Sequence, residues 1–218
     1  MNRKLGLLSA AAVTVLVVLF ALLMLVRLDY GAYGASLLIS WAYLVLACSF
    51  AVMAGEGEQV AAQAGIAFAV LYAGFVTSVY FVQLTTILHQ SAPVDILNAL
   101  NYQTLGSLMF NLDLLGYALM SISTLFTGLT VTRAGRANKW LRYLLICHGV
   151  FAPICIALPI IDVFGTMPKQ GGDAVGTAVL LLWCAYFLPV GILAVFHFSA
   201  PQAFPQRRQL PSTLADAA

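Results

Sequence analysis

Residues 108–120 read "LMFNLDLLGYALM". An asparagine and an aspartate, Asn111 and Asp113, stand inside an apolar run that continues to Val131. A bilayer-spanning helix needs about 20 predominantly apolar residues, and this run is long enough. The acid is therefore read as lodged in lipid. A charge at the centre of a spanning helix costs about 2.5–3.5 kcal/mol on insertion scales. Its own protein must shelter it.

Composition extends the reading to the whole chain. Hydrophobic residues make up 62% of the 218 positions and charged residues 8%. Soluble domains carry about 25% charged residues. Ten Lys and Arg with eight Asp and Glu are too few to solvate a globule of this size, so lipid is the outer solvent.

Six segments have the length and composition of spanning helices: 5–26, 33–54, 60–88, 104–132, 141–161 and 175–198. The first follows Arg3 and Lys4, as a signal peptide would. Its apolar run of about 21 residues exceeds the 7–15 of a signal h-region, so it reads as a retained helix. Basic residues then orient the chain. With the N-terminus inside, Arg3, Lys4, Arg133, Arg136, Lys139, Arg142, Arg207 and Arg208 are cytoplasmic, and Arg27 and Lys169 face outward. The expected architecture is an all-α, six-helix polytopic membrane protein with both termini cytoplasmic. Residues 1–200 form one transmembrane domain, and 201–218 a mobile cytoplasmic tail. A multi-pass protein of the plasma (inner) membrane follows.

Two linkers are longer than the rest. "HQSAPVDILNALNYQ", 89–103, reads either as a short interfacial helix, with Ile96, Leu97 and Leu100 as its apolar stripe, or as an ordinary loop. "DVFGTMPKQGGD", 162–173, reads as turns. Pro153, Pro159 and Pro189 predict kinks in the fifth and sixth spans. Trp183, Tyr186 and Trp140 read as interface or cavity aromatics.

Counting from Thr104 puts Asp113 about 13 Å into the fourth span, near the midplane. At helical spacing it shares a face with Gly106, Met109, Gly116, Tyr117, Met120, Thr124 and Thr127, while Asn111 points about 160° away. Small or polar groups on both faces place this span at the centre of the bundle. On the third span, Tyr80 falls in the layer of Asp113, with Gln83 one turn higher. On the fifth, His148 is expected level with Tyr117. A polar chain from Tyr80 and Gln83 through Asp113 and Tyr117 to His148 is the candidate site for a proton or small molecule. The bland reading is that these groups, Asn111 and Gln83 above all, bond neighbouring helices and hold register.

No P-loop, nucleophile elbow, zincin motif or dinucleotide fingerprint is present. Cys48, Cys147, Cys155 and Cys184 form no metal-ligand spacing. An enzyme, a cofactor, a bound metal and a nucleic-acid partner are not expected; the bilayer is. A homo-oligomer or a partner subunit stays open.

The stretches "GSLMFNLDLLGYALMSISTLFTGLTV" and "NKWLRYLLICHGVF", flanked by "VYFVQLTTI" and "LWCAYFLPVGIL", resemble a family of small multi-pass bacterial membrane proteins with no known activity. The resemblance covers most of the chain. It implies a bacterial inner-membrane protein and brings no substrate or cofactor. It draws attention to Gln83, Asn111, Asp113 and His148. Three functions are carried forward: binding or transport of a proton or small molecule at Asp113, a structural helper subunit, and a lipid-modifying enzyme.

Overall fold

The structure is a computed structural model that describes residues 1–164 and 172–200. The tail at 201–218 and most of the 162–173 linker lie outside the described residues. Among those described, all regular structure is helical, and six helices are long and apolar enough to cross a membrane.

The elements are α1 (Asn2–Leu25), α2 (Asp29–Val52), α3 (Gln59–Val82), α4 (Val94–Leu100), α5 (Leu108–Thr130), α6 (Gly135–His148), α7 (Phe151–Ile160) and α8 (Gly172–Ser199). A 3₁₀ turn, Glu56–Glu58, leads into α3, and a π turn, Gln83–Ile87, extends it. Residues Val94–Leu100 of the 89–103 linker are helical, as one of its two readings expected.

Helix packing closes a ring. α1 lies beside α2 and α8, α2 beside α3, α3 beside α5, α5 beside α6 and α7, and α6 beside α8. Successive spans run antiparallel, so the start of α1 and the end of α8 share one end of the bundle. That end is called the termini end here and the opposite one the far end.

The fourth span was expected at the centre. α5 is the most deeply buried span and packs on α2, α3, α6 and α7. Glycines flanking the Asp113 face meet α3 and α6. A Cβ at Gly116 would stand 2.9 Å from Cγ2 of Val76, and one at Gly128 would stand 3.0 Å from the Ile146 backbone nitrogen. Only glycine permits approaches that close.

Three helices stop at the far end without glycine. Arg27 (φ 55°), Gln90 (φ 48°) and Asp162 (φ 53°) adopt left-handed backbone. Each is followed by the same closing bonds: Leu28 N–H to Leu23 O, Ser91 N–H to Thr86 O, and Val163 N–H to Leu158 O. These are Schellman stops, which satisfy the last carbonyls of α1, of the α3 extension and of α7. At the termini end arginines do the same work. Arg3 donates to Phe198 O and Ala200 O, both at 2.6 Å. Arg142 donates to Leu129 O at 2.7 Å and Val131 O at 2.9 Å. Part of the basic excess at this end therefore caps α8 and α5.

The fifth span is broken rather than kinked. Between α6 and α7 the bonds tighten to 3₁₀ type, Gly149 N–H to Ile146 O, Val150 N–H to Cys147 O and Ala152 N–H to Gly149 O. Pro153 has no N–H to give the Gly149 carbonyl and its ring would crowd it, so the α-helix cannot run through. Pro159 and Pro189 lie within α7 and α8 without ending them.

Candidate functional site

Most of the expected Asp113 face is buried, since Asp113, Gly116, Tyr117, Met120, Thr124 and Thr127 lie inside, but Met109 is half-buried and Gly106 is exposed ahead of the helix. The matching face of α3 carries Tyr72, Val76, Val79 and Tyr80, with Gln83 at the same face of the extension. The two helices are antiparallel, and Tyr80 lies opposite Asp113. The Tyr80 hydroxyl donates to Oδ2 of Asp113 across 3.5 Å. The other carboxyl oxygen, Oδ1, is buried and has no hydrogen-bond partner.

Depth differs from the expectation. α5 begins at Leu108, because Gly106 is left-handed (φ 76°) and Ser107 accepts from Phe110 N–H as the N-cap. Asp113 is thus five residues from the helix start, about 8 Å rather than 13 Å. A roof covers it from the far end. The Tyr102 ring packs on Tyr33 and on Tyr80 with centroids 5.4 Å and 5.5 Å apart, and Tyr33 lies 5.9 Å from Tyr80.

Gln83 does not bond Asp113. Its Nε2 donates to Leu100 O at 2.9 Å, and its Oε1 accepts from Tyr102 N–H at 3.2 Å. The buried amide holds the loop that carries Tyr102. Asn111 is half-buried; its Nδ2 reaches Gly106 O at 3.4 Å and its Oδ1 is buried without a partner.

Below Asp113 the interior is aromatic. Tyr117 packs on Tyr72 at 6.3 Å and on Trp183 at 5.3 Å; Trp183 stacks on Phe187 at 5.1 Å. Phe187 reaches His148 at 5.5 Å. His148 is buried, with Nδ1 2.9 Å from the Thr124 hydroxyl and Nε2 without a partner. It was expected level with Tyr117, but it lies opposite Thr124, two turns nearer the termini end. The tight 131–134 turn sets this register, since Leu145 and Ile146 already face Gly128. Tyr117 and His148 are therefore joined through Trp183 and Phe187, with rings between them.

A second polar set locks helices around this column. The Tyr43 hydroxyl donates to Ser123 Oγ at 2.9 Å, and Ser123 donates to Gly65 O at 2.7 Å, tying α2, α5 and α3 together. Tyr186 donates to Leu144 O at 2.7 Å.

Sequence reasoning missed Tyr33 and Tyr102. Tyr33 belongs to a helical stripe, Tyr33, Ser36, Ser40, Tyr43, Ala47 and Phe50, all buried, so spacing held a signal for it. Tyr102 sits in a linker, where no periodicity exists to read.

Among the described residues, no group of three or more His, Cys, Asp or Glu side chains is placed to hold a metal. No family model, curated protein or solved structure matches the chain. The family resemblance noted above thus supplies no residue roles, and the site stands on its geometry as a buried, half-partnered carboxyl inside a six-helix membrane bundle.

Proposed function

We propose that the protein binds and releases a proton at Asp113, as part of proton or small-solute movement across a plasma membrane in which both termini face the cytoplasm. The observation that carries this reading is the carboxyl itself: it is enclosed, with one oxygen facing a single long hydrogen bond and the other facing none. An ionisable group within a span is expensive and is by default functional. Packing narrows the ligand. Rings around and below the carboxyl stand at centroid distances of 5.1–6.3 Å from one another, which is ring contact. A proton needs no further room, whereas an organic ligand requires the tyrosines to part.

The test is reconstitution into vesicles loaded with a pH-sensitive dye. Wild type should relax an imposed pH difference faster than empty vesicles, and Asp113→Asn should not. Equal relaxation by wild type and a folded Asp113→Asn protein overturns the reading. A C-terminal reporter active only on the outer face would overturn the orientation.

One set of observations favours a second reading, a structural helper subunit. Gln83, Tyr43, Ser123 and Tyr186 all spend their polar atoms on neighbouring helices or loops. On that reading Asp113→Asn changes thermal stability and leaves every pH response intact.

A further inference from the structure

The segment 91–106 lies over the far end of the bundle, and its attachment is unusually thin. None of its residues is buried, and α4 exposes Val94 and Ile96 at 70% and 49%. Few buried apolar contacts mean a low free energy of local opening. What holds the segment is polar and specific. Gln83 grips Leu100 O and Tyr102 N–H from below. Gln103 donates to the Tyr33 hydroxyl at 2.8 Å. Ser107 donates to Asn101 O at 2.8 Å. The Tyr102 ring turns inward and lands on Tyr33 and Tyr80, the latter being the residue bonded to Asp113. Left-handed residues mark both ends of the segment, Gln90 just before it and Gly106 as its last residue.

We propose that 91–106 is a gate over Asp113, with Tyr102 as its plug and Gln83 as its latch, and that it opens the site toward the far end. This regulation rests on the reading of Asp113 as the binding group. The arrangement has the two parts a gate needs. The plug blocks one residue, Tyr80, that touches the site, and the latch is a side chain of the rigid bundle rather than of the moving segment. Opening exchanges the Gln83 and Gln103 bonds for bonds to water and withdraws one aromatic ring from between two others. α4 then stays at the membrane surface on its apolar residues.

The experiment uses the full chain with Cys48, Cys147 and Cys155 replaced by Ala, Cys184 kept, and Asp113→Cys added as a reporter. Labelling by a water-soluble maleimide is followed at both thiols. Tyr102→Ala, Gln103→Ala and Gln83→Ala are compared with the parent. Removing either hold should speed labelling of the thiol at position 113 by about tenfold, the effect of losing one or two hydrogen bonds, and removing the plug should speed it through the lost ring contacts with Tyr33 and Tyr80, while buried Cys184 labels as slowly as before. Gln103→Ala leaves the bundle interior untouched and so keeps the test valid if Gln83→Ala fails to fold. No acceleration at position 113, or equal acceleration at both thiols, overturns the gate. Because thiol labelling does not depend on proton binding, a failed gate leaves the Asp113→Asn vesicle test standing, and the reverse holds too.

Discussion

Asp113 and its neighbours show how differently buried polar residues are used within a few ångströms. Gln83 is satisfied on both sides of its amide, whereas Asp113 has one oxygen unmatched. The first pattern stabilises a loop; the second leaves capacity for a ligand. Replacing Gln83 by Leu should destabilise the protein by about 1–3 kcal/mol, because Leu100 O and Tyr102 N–H lose their partner. Tyr43→Phe removes the bond to Ser123 from a lipid-embedded core and should cost less, about 0.6 kcal/mol. Unfolding measured in mild detergent checks both, and the order matters more than either value. Gly128→Val should cost about 1–3 kcal/mol by forcing α5 off α6, because an added Cβ alone would stand 2.9 Å from Cγ1 of Ile146.

Helix ends are where the elements depart from simple rules. Arg27, Gln90 and Asp162 hold left-handed backbone that favours glycine. Gln90→Gly should therefore stabilise the protein by about 1 kcal/mol if the Schellman stop is as described; a loss of stability would show that the Gln90 side chain is needed. Pro153→Ala supplies the i−4 donor that proline cannot give Gly149 O, which accepts instead from Ala152 N–H. It should straighten the fifth span and pull His148 away from Thr124, which spin-label distances across the break would report. These elements also mark what could be read from sequence. The spans were legible because long apolar runs have one physical solution in lipid, and the buried faces of α3 and α5 because a period of 3.6 survives burial. The start of α5 was missed. Gly106 and Ser107 before the apolar run are the residues that favour a left-handed turn and an N-cap, but the span was counted from Thr104, so Asp113 was placed about one turn too deep. The level of His148 was missed because a four-residue turn, not the span length, sets the register of α6 on α5. Tyr102 was invisible because plugs are built from loops.

At the scale of the molecule, six helices closed in a ring leave an interior that is filled by rings rather than by a backbone. Tyr33, Tyr80 and Tyr102 crowd the far end; Tyr43, Tyr72, Tyr117, Trp183 and Phe187 fill the middle. His148 and His197 lie nearer the termini end, with His197 paired to Asn138 at 2.9 Å. The tyrosine, Trp183 and Phe187 rings stand in contact with their neighbours, at centroid distances of 5.1–6.3 Å. Arg142→Ala, which strips the cap from α5, should lower stability by about 1–3 kcal/mol without altering a pH response. The most direct measurement is infrared difference spectroscopy on the reconstituted protein across a pH step. A band from the C=O stretch of a protonated carboxyl should appear and vanish reversibly in wild type and be absent in Asp113→Asn. A spectrum with no such band, or the same band in both proteins, would contradict the account.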